Sequence, residues 1–319
     1  MPSLLARLRE SDDVLIHYAP LHSMLSEDWG KPMEVHLSQW ILEHPDRFQD
    51  ALARSYAAGC DFGSTSTQSS SAWRANLFGL KDQVRRLNYE SARLAREVTP
   101  PDKYLVGFCS TTLPEFLQPA GTLTPDQVRD GYREQMEALL EGGIDVFMIV
   151  GNQPDINLLA IEVARDLAPD IPIISHCVYY HGPRGFFTMM GQTPREGARM
   201  LWDAGADVVG ASCGLMRKTD DYPTPGETHY YEGATELLGL LRQAGDGPLS
   251  IQPNASLSRL AEGKTVYAAT PDEMLREVPN WIDRGARIVG GCCGTNLDHI
   301  RAIAPLIRRH NARTPSPRP

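Results

Sequence analysis

Three cysteines at the ends of two short apolar segments are the residues best suited to chemistry. Arg287–Thr295 reads Arg-Ile-Val-Gly-Gly-Cys-Cys-Gly-Thr and places Cys292 and Cys293 side by side between glycines. Ala206–Gly214 ends in the same way with a single thiol, Cys213. Three thiolates around one ion with an open fourth position form a catalytic zinc site, whereas structural sites are closed. The sequence therefore predicts that these three cysteines bind zinc, provided that the fold brings them together.

The remaining thiols and the adjacent pair can also be explained without a metal. Cys60, Cys109 and Cys177 occur singly, and a lone cysteine at a strand end is usually a small buried hydrophobic residue. The adjacent pair could instead form a strained disulfide or a redox switch, which needs a resolving partner or an oxidising compartment. Metal binding is favoured because glycines flank both cysteine segments and let the backbone turn the sulfurs toward one ion.

The elements that must position these cysteines follow a repeated pattern. Glycine, one intervening residue and Asp or Arg precede four apolar segments, at Gly59–Asp61, Gly143–Asp145, Gly205–Asp207 and Gly285–Arg287. Each glycine is the expected C-cap of a stretch with helical apolar spacing, namely Phe48–Ala58, Tyr132–Leu140, Ala198–Asp203 and Met274–Ile282. Further strands are predicted at Val14–Ala19, Tyr104–Cys109, Ile171–Val178 and Leu249–Pro253.

Eight short strands alternating with helices predict a closed (β/α)8 barrel. An open doubly wound sheet is the alternative, although no Gly-x-Gly-x-x-Gly sequence follows the first strand to support a dinucleotide-binding fold. We predict one zinc-binding barrel domain over residues 1–311 and a disordered tail over residues 312–319, which are rich in Pro, Arg and Ser. The loops expected to build the mouth of the barrel are Gln68–Ser71, Lys218–Tyr231 and Asn254–Tyr267.

The barrel brings the three thiols to one end of the molecule. Cys213 ends the sixth predicted strand, and Cys292 and Cys293 end the eighth. These strands flank the seventh, so their ends lie about 10 Å apart at the usual strand spacing. Side chains reaching inward from both strands can therefore meet one metal ion over the end of the seventh strand.

Composition narrows the classes of function. The chain has 319 residues and a formal net charge of -9, which argues against nucleic-acid binding. No apolar stretch reaches the roughly 18 residues of a membrane span, and the polar N-terminus lacks the core of a signal peptide. We therefore expect a cytoplasmic protein with no membrane or nucleic-acid partner. Its six cysteines are then expected to be free thiols or metal ligands.

Several sequence features together resemble the homocysteine S-methyltransferase family. They are Gly290–Thr295 (Gly-Gly-Cys-Cys-Gly-Thr), the Gly-x-x-Cys of Gly210–Cys213, and Pro253-Asn254-Ala255 between them. The resemblance runs from about Leu15 to Ile307, with His44-Pro45 and Gly191–Pro194 also matching. This family includes betaine–homocysteine methyltransferase and the homocysteine module of cobalamin-dependent methionine synthase.

The resemblance implies a cofactor and a reaction. Cys213, Cys292 and Cys293 would bind zinc, and Asn254 would lie where the family can place an oxygen ligand in the substrate-free site. The zinc-bound thiol would be a thiolate at neutral pH and would attack a methyl group. Methyl donors in the family are betaine, S-methylmethionine, S-adenosylmethionine or methylcobalamin. With 319 residues, we expect no folate or cobalamin module in this chain.

The expected substrate pocket departs from the family pattern. His17–Pro20 replaces the usual Asp-Gly-(Gly/Ala), Ser64–Thr67 replaces Thr-Asn-Thr, and Val150–Asn152 lacks the usual glutamate that holds the amino group. An ammonium buried without a carboxylate is costly, so these changes argue against the usual mode of holding homocysteine. We expect a more aromatic pocket lined by His17, Tyr18, His22, Asn152, His176, Tyr179, Tyr180 and Asn254.

Four functions remain open from the sequence. The leading hypothesis is a zinc-dependent S-methyltransferase with a small methyl donor and a thiol acceptor, homocysteine or another, in methionine biosynthesis. A divergent version would pass a methyl group from an O- or N-methylated substrate to a separate corrinoid protein. The third function is that of an inactive zinc-binding paralogue, and the fourth is that of a redox protein that uses Cys292 and Cys293.

Overall fold

Eight parallel strands form the central sheet of the protein. The computed structural model describes residues 3–18, 20–32, 34–110, 117–119, 121–152, 154–217, 224–261 and 264–313. The strands in these residues are β1 (Leu15–Ile16), β2 (Phe62–Ser64), β3 (Tyr104–Ser110), β4 (Val146–Gly151), β5 (Ile173–Cys177), β6 (Tyr180–Gly182), β7 (Gly185–Phe187), β8 (Val208–Ser212), β9 (Leu249–Gln252), β10 (Arg259–Ala261), β11 (Lys264–Val266) and β12 (Ala286–Val289). β6–β7 and β10–β11 are separate antiparallel hairpins.

The sheet is a barrel in which neighbouring strands run parallel. Its order is β1-β12-β9-β8-β5-β4-β3-β2, and each paired strand is parallel to its neighbour. β1 and β2 meet through Ile16 and Asp61, where the backbone N–H of Asp61 donates to the Ile16 carbonyl at 2.8 Å. This architecture confirms the predicted (β/α)8 barrel as a single domain.

Most of the helices follow strands and cover the outside of the barrel. They are α1 (Leu4–Glu10), α2 (Leu21–Trp29), α3 (Leu37–Glu43), α4 (Pro45–Ala58), α5 (Ala72–Asn76), α6 (Val84–Val98), α7 (Pro125–Glu141), α8 (Pro154–Leu167), α9 (Pro194–Asp203), α10 (Tyr230–Arg242), α11 (Pro271–Asp283) and α12 (Leu297–Asn311), with a 3₁₀ turn at Lys81–Gln83. None of the helices in the described residues combines the length and the apolar character needed to cross a bilayer.

Three of these helices begin at a threonine followed by proline. Thr124, Thr193 and Thr270 are the N-caps of α7, α9 and α11, and each forms a capping box with a Gln or Glu three residues later. The proline takes the first helical position, where its missing N–H costs nothing. These helices therefore begin several residues before the apolar stretches from which they were predicted. The capping residues favour these starting points, and apolar spacing alone does not reveal them.

Several predicted element boundaries differ from the structure. The first strand is limited to Leu15–Ile16, and Ala19 lies outside the described residues. The predicted loop at 254–267 contains the hairpin β10–β11, and Tyr230 and Tyr231 of the other predicted loop belong to α10. Residues 314–319 of the predicted tail lie outside the described residues, so the tail stays a prediction.

The apolar core has an inner and an outer part. Leu15, Val106, Met148, Ile174 and Val208 point into the barrel with other inward side chains and are fully buried. The larger outer part fills the layer between the strands and the surrounding helices. Inward and outward residues alternate along each strand, as the pleat requires, which decides which residues near the strand ends can reach the mouth.

The N-terminal helix packs against the inner core. Leu4 and Leu8 of α1 are buried in the same cluster as the inward-facing barrel residues. The Arg287 guanidinium, at the start of β12, donates to the carbonyls of Leu8, Ser11 and Asp13 and so holds the segment that follows α1. We conclude that α1 closes the end of the barrel at which the strands begin.

Aspartates tie the beginnings of neighbouring strands together. The Asp145 carboxylate accepts a hydrogen bond from the Leu105 N–H at 2.7 Å, while its own N–H donates to the Leu105 carbonyl. Asp207 makes the same two bonds with Ile173, and Asp61 makes them with Ile16. The aspartate of the repeated Gly-x-Asp pattern therefore supplies a side-chain clamp at the entry of three strands.

Removing one clamp should destabilise the fold. Asp207→Ala takes the acceptor from the Ile173 N–H and from Arg165, which donates to Asp207 at 2.6 Å. We expect it to lower the free energy of unfolding by about 1–3 kcal/mol, because partly buried donors lose their partner. Urea unfolding followed by circular dichroism measures the change.

The control for this prediction is Asp203→Ala, four residues earlier. Asp203 pairs with Arg199 at 3.4 Å, and both side chains are about two-thirds exposed (69% and 67%). An exposed pair of this kind contributes less than about 1 kcal/mol. Equal destabilisation by the two substitutions would contradict a special role for the clamp.

Candidate metal centre and cavity

Cys213 follows β8 in an unusual backbone conformation. Its φ is 54°, in the left-handed region that non-glycine residues seldom adopt. The Cys213 N–H donates to the Gln252 carbonyl at 3.1 Å, so the turn remains attached to the end of β9. Strain of this kind persists where the surrounding structure over-determines it, and it is concentrated at functional sites.

Cys292 and Cys293 are attached to the same strand end from its other side. The Cys292 N–H donates to the Pro253 carbonyl at 2.8 Å, and the Ala255 N–H donates to the Cys293 carbonyl at 2.8 Å. The Thr295 hydroxyl donates to the Cys292 carbonyl at 2.7 Å and closes the turn before α12. The residues just after β9 therefore hold both cysteine segments.

The three sulfurs converge. Cys213 Sγ and Cys292 Sγ are 2.8 Å apart, Cys292 Sγ and Cys293 Sγ are 3.8 Å apart, and all three lie within 4.8 Å of one another. Three ligands of a tetrahedral zinc ion with Zn–S bonds of about 2.3 Å are themselves separated by slightly less than 4 Å. The donor set and its spacing therefore fit a zinc ion, with a small movement of Cys213 or Cys292.

Proximity makes the three thiols unequal. Hydrogen bonds from Cys213 and Cys292 lower the pKa of Cys293 well below its usual value, so Cys293 is the most acidic of the three thiols. The same contacts, first with Cys213 and then with Cys293, raise the pKa of Cys292 well above its usual value. A cation bound between the sulfurs would remove this repulsion between thiolates, because it supplies the opposite charge.

Glycines allow the close approach of backbone around the cysteines. A Cβ at Gly210 would overlap the Ser250 carbonyl and contact the His176 ring. Gly294, directly after Cys293, has a φ of +79°, and a Cβ there would overlap the Tyr267 ring. Both positions therefore require glycine for steric reasons.

A cavity of about 150 Å³ opens beside the sulfurs. Its lining comes from the mouth of the barrel and from α2, and it consists of Tyr18, Pro20, Leu21, His22, Ser23, Ser64, Ser66, Gln68, Phe108, Val150, Ser212, Cys213, Gln252, Gly291, Cys292 and Cys293. None of these described lining residues is acidic. The cavity thus combines a sulfur wall with hydroxyl, amide and aromatic groups.

Only part of the predicted substrate pocket lines this cavity. Tyr18 and His22 do, and the Tyr18 hydroxyl is hydrogen-bonded to Gln252. His17 and His176 instead lie inside the barrel, fully buried, with ring centroids 6.1 Å apart. Burial lowers the pKa of His176 to about 3, so its imidazole is neutral at pH 7.

The remaining predicted pocket residues are not part of the cavity lining. Tyr179 is fully buried in the outer core, with its hydroxyl against Gly197 of α9, because outward residues of β5 and its extension face the helices. Asn152 and Tyr180 follow β4 and β5 but are not part of the lining. Asn254 follows Pro253 in the segment bonded to the cysteines, and its Oδ1 is buried without a hydrogen-bond partner.

Sequence reasoning missed several lining residues. Phe108, Ser212 and Gln252 face the cavity from the ends of β3, β8 and β9. In β9 the outward residues are Leu249 and Ile251, so period-two alternation would have placed Gln252 inward. Polar residues at inward positions near a strand end are therefore the signal that could have identified Ser212 and Gln252.

Comparison with known proteins places the chain in a methyltransferase context. The sequence model of the family described as homocysteine S-methyltransferase matches residues 17–307. Methionine synthase of Mycobacterium leprae (strain TN) is 28% identical over 282 residues, which are 84% of this chain and 22% of that protein. Methionine synthase of Mycobacterium tuberculosis (strain ATCC 25618 / H37Rv) is 26% identical over 278 residues, which are 82% and 22%. The chain spans about a fifth of the length of these relatives.

Solved structures share the fold. The homocysteine methyltransferase MmuM from Escherichia coli in its metallated form has a TM-score of 0.69 and 19% identity, covering 92% of this chain and 96% of that one. The oxidized form of the same protein has a TM-score of 0.67 and 18% identity, covering 95% and 98%. At this level of identity the likeness establishes the barrel fold.

The unequal thiols predict a selective reaction. In chelator-treated protein at pH 6, we expect iodoacetamide to modify Cys293 first, because it is exposed and its pKa is lowered. A thiol of ordinary pKa is less than about 1% ionised at this pH. A time course of peptide mass spectrometry identifies the order of modification.

Buried thiols of the same chain are the internal control. Cys109 and Cys177 are fully buried, and burial raises their pKa values, to about 12 for Cys177. We expect both to stay unmodified while the protein is folded. Modification of Cys213 or Cys292 before Cys293 would contradict the proposed charge distribution.

Proposed function

This chain belongs to the homocysteine S-methyltransferase family, and on that premise we propose that it is a zinc-dependent enzyme that transfers a methyl group to a thiol. The observation that carries the proposal is the convergence of Cys213, Cys292 and Cys293 within 4.8 Å beside a cavity. A sealed structural metal site would have no reason to open onto such a cavity.

The residues that would hold the metal are the three cysteines, with Asn254 as a proposed oxygen ligand. Its buried, unpartnered Oδ1 adjoins the residues bonded to the cysteines. When bound, zinc would lower the pKa of an incoming thiol and keep it as a reactive thiolate at neutral pH. Hydrogen bonds to Gln252 and Pro253 orient the cysteines before any ligand arrives.

Apolar side chains around the sulfurs favour methyl transfer by excluding water. Leu21, Phe108 and Val150 line the cavity with the cysteines. The rings of Tyr18 and Phe108 lie side by side, with centroids 5.9 Å apart. Aromatic faces attract cationic groups, so this pair supports a donor whose methyl group is attached to a positively charged atom.

His22 can contact the incoming thiol. It lines the cavity, its Nε2 is buried without a partner, and burial lowers its pKa so that the ring is neutral at pH 7. A neutral ring nitrogen can accept a hydrogen bond from the S–H of the acceptor. We propose that His22 accepts this hydrogen bond and so orients the thiol toward the cysteines.

The residues that line the cavity bear on which methyl acceptor and donor the protein uses. Homocysteine is the acceptor that the family suggests, whereas the described lining contains no carboxylate to pair with its ammonium. This observation favours a second candidate, a methyltransferase that passes the methyl group of an O- or N-methylated substrate to a separate corrinoid protein. Both candidates use the same metal centre.

An activity assay tests the leading proposal. Zinc-loaded protein would be incubated with homocysteine and betaine, S-methylmethionine or S-adenosylmethionine, and methionine would be quantified by mass spectrometry. Methionine formation with any of these donors supports the leading proposal. Stoichiometric zinc without methionine and without thiol binding by calorimetry would contradict it and favour an inactive paralogue.

Substitution of a ligand should release the metal. We expect Cys213→Ala or Cys292→Ala to weaken zinc binding by more than about a hundredfold and to abolish methyl transfer, because only two of the three thiolate ligands remain. The barrel should still fold, since these side chains lie at the mouth rather than in the core. Metal content by plasma mass spectrometry and secondary structure by circular dichroism are the measurements.

Cys109→Ala is the matched control for loss of a thiol. Cys109 is fully buried in the outer core, on the opposite face of the sheet from the cavity. We expect it to retain zinc while losing about 1 kcal/mol of stability. Full zinc and activity in Cys292→Ala would show that the proposed ligand set is wrong.

A further inference from the structure

The turn after β2 presents two polar residues to the cavity. Ser66 has a φ of 56°, in the left-handed region, and both Ser66 and Gln68 line the cavity. The Gln68 Oε1 is buried and has no hydrogen-bond partner. In the sheet order β2 is four strands away from β8, so this turn lies across the barrel mouth from Cys213.

Side chains from three surrounding helices hold the back of this turn. Gln135 Nε2 of α7 donates to the Thr67 carbonyl at 3.0 Å, and Asn88 Nδ2 of α6 donates to the Ser70 carbonyl at 2.8 Å. His36 Nε2, at the N-cap of α3, donates to the Ser69 carbonyl at 2.8 Å. Three backbone carbonyls around Gln68 are therefore fixed from behind.

The two amides also bind each other. Gln135 Nε2 donates to Asn88 Oδ1 at 3.1 Å, and both residues are fully buried. The Ser38 and Ser70 hydroxyls lie 2.7 Å apart and add a further link to α3. Burying an amide costs free energy, which its hydrogen bonds offset. The hydrogen bonds of Asn88 and Gln135 to the turn indicate that these amides hold the turn in place.

We propose that Gln68 is a specificity-determining residue that accepts a hydrogen bond from the amino group of an amino-thiol acceptor, and that Asn88 and Gln135 are positioning residues that hold it there. This inference rests on the proposed function of the metal centre. A sulfur bound at the cysteines leaves the other end of a small acceptor to reach across the cavity, toward Gln68. The amide oxygen supplies a polar partner on a wall whose described residues contain no carboxylate.

Two thiols that differ only in the amino group test the contact. Homocysteine and 4-mercaptobutanoate would be titrated by calorimetry into zinc-loaded wild type, Gln68→Leu and Gln68→Glu. Gln68→Leu should weaken homocysteine binding by about tenfold and leave 4-mercaptobutanoate unchanged, the loss expected for one charge-assisted hydrogen bond. Gln68→Glu should tighten homocysteine and weaken 4-mercaptobutanoate, because the new carboxylate pairs with an ammonium and repels an anion.

Asn88→Ala and Asn157→Ala form a matched pair for the positioning role. Asn157 of α8 is equally buried, and its Nδ2 donates to the His176 carbonyl at 2.9 Å, on the other side of the barrel. Both substitutions should lower stability. Only Asn88→Ala should raise the KM for the thiol while kcat and zinc content stay near those of wild type, and only Asn88→Ala should accelerate amide hydrogen exchange in residues 64–71.

The outcomes are separable. If Gln68→Leu binds both thiols as wild type does, the contact is refuted. If Asn88→Ala and Asn157→Ala change exchange in residues 64–71 equally, the positioning role is refuted. If wild type holds zinc but binds neither thiol, the proposed function fails, while the exchange measurement still decides whether Asn88 fixes the turn. The Gln68 Oε1 has no hydrogen bond within the protein to lose, so Gln68→Leu should fold.

Discussion

Two consecutive carbonyl oxygens at the end of β9 hold the strands that carry the cysteines. Gln252 accepts from Cys213, and Pro253 accepts from Cys292, although these cysteines are 79 residues apart in the chain. Backbone pairing between adjacent strands therefore fixes where Cys213 and Cys292 stand at the mouth of the barrel. The proposed metal centre depends on this arrangement, because a shift of one residue in the pairing of either strand would turn a sulfur away from the other two.

The opposite wall of the cavity is built by a different means. There no strand pairing fixes the turn at residues 66–70, and the buried amides of Asn88 and Gln135 hold its carbonyls from the outer layer. One wall is therefore rigid because of the sheet, and the other is rigid because of helices packed behind it. Two walls that are both in place before a ligand binds would lower the entropy lost on binding.

The sequence was informative about the barrel and less so about the cavity. A glycine followed two residues later by aspartate indicated where several strands begin. Flanking glycines identified the three cysteines that the fold brings together. The cavity was harder, because a polar residue such as Gln252 is marked only by the inward register of its strand. Tyr179 shows why the cavity was harder to predict. It directly follows the fifth predicted strand, which suggested a place at the mouth, whereas the alternation of side chains along the strand directs it into the outer core. The helix starts at Thr-Pro were readable from the sequence, since the capping residues and their spacing are local.

The aspartate clamps at Asp61, Asp145 and Asp207 have a consequence for how such a barrel can change. They fasten neighbouring strands at the rim where the strands begin, whereas the cysteines and the cavity occupy the other rim. Segments at the reactive rim can consequently be lengthened, recombined or exchanged with those of related barrels without altering how the strands are aligned. In such a scaffold, the residues that align the strands are different from the residues that would select a substrate.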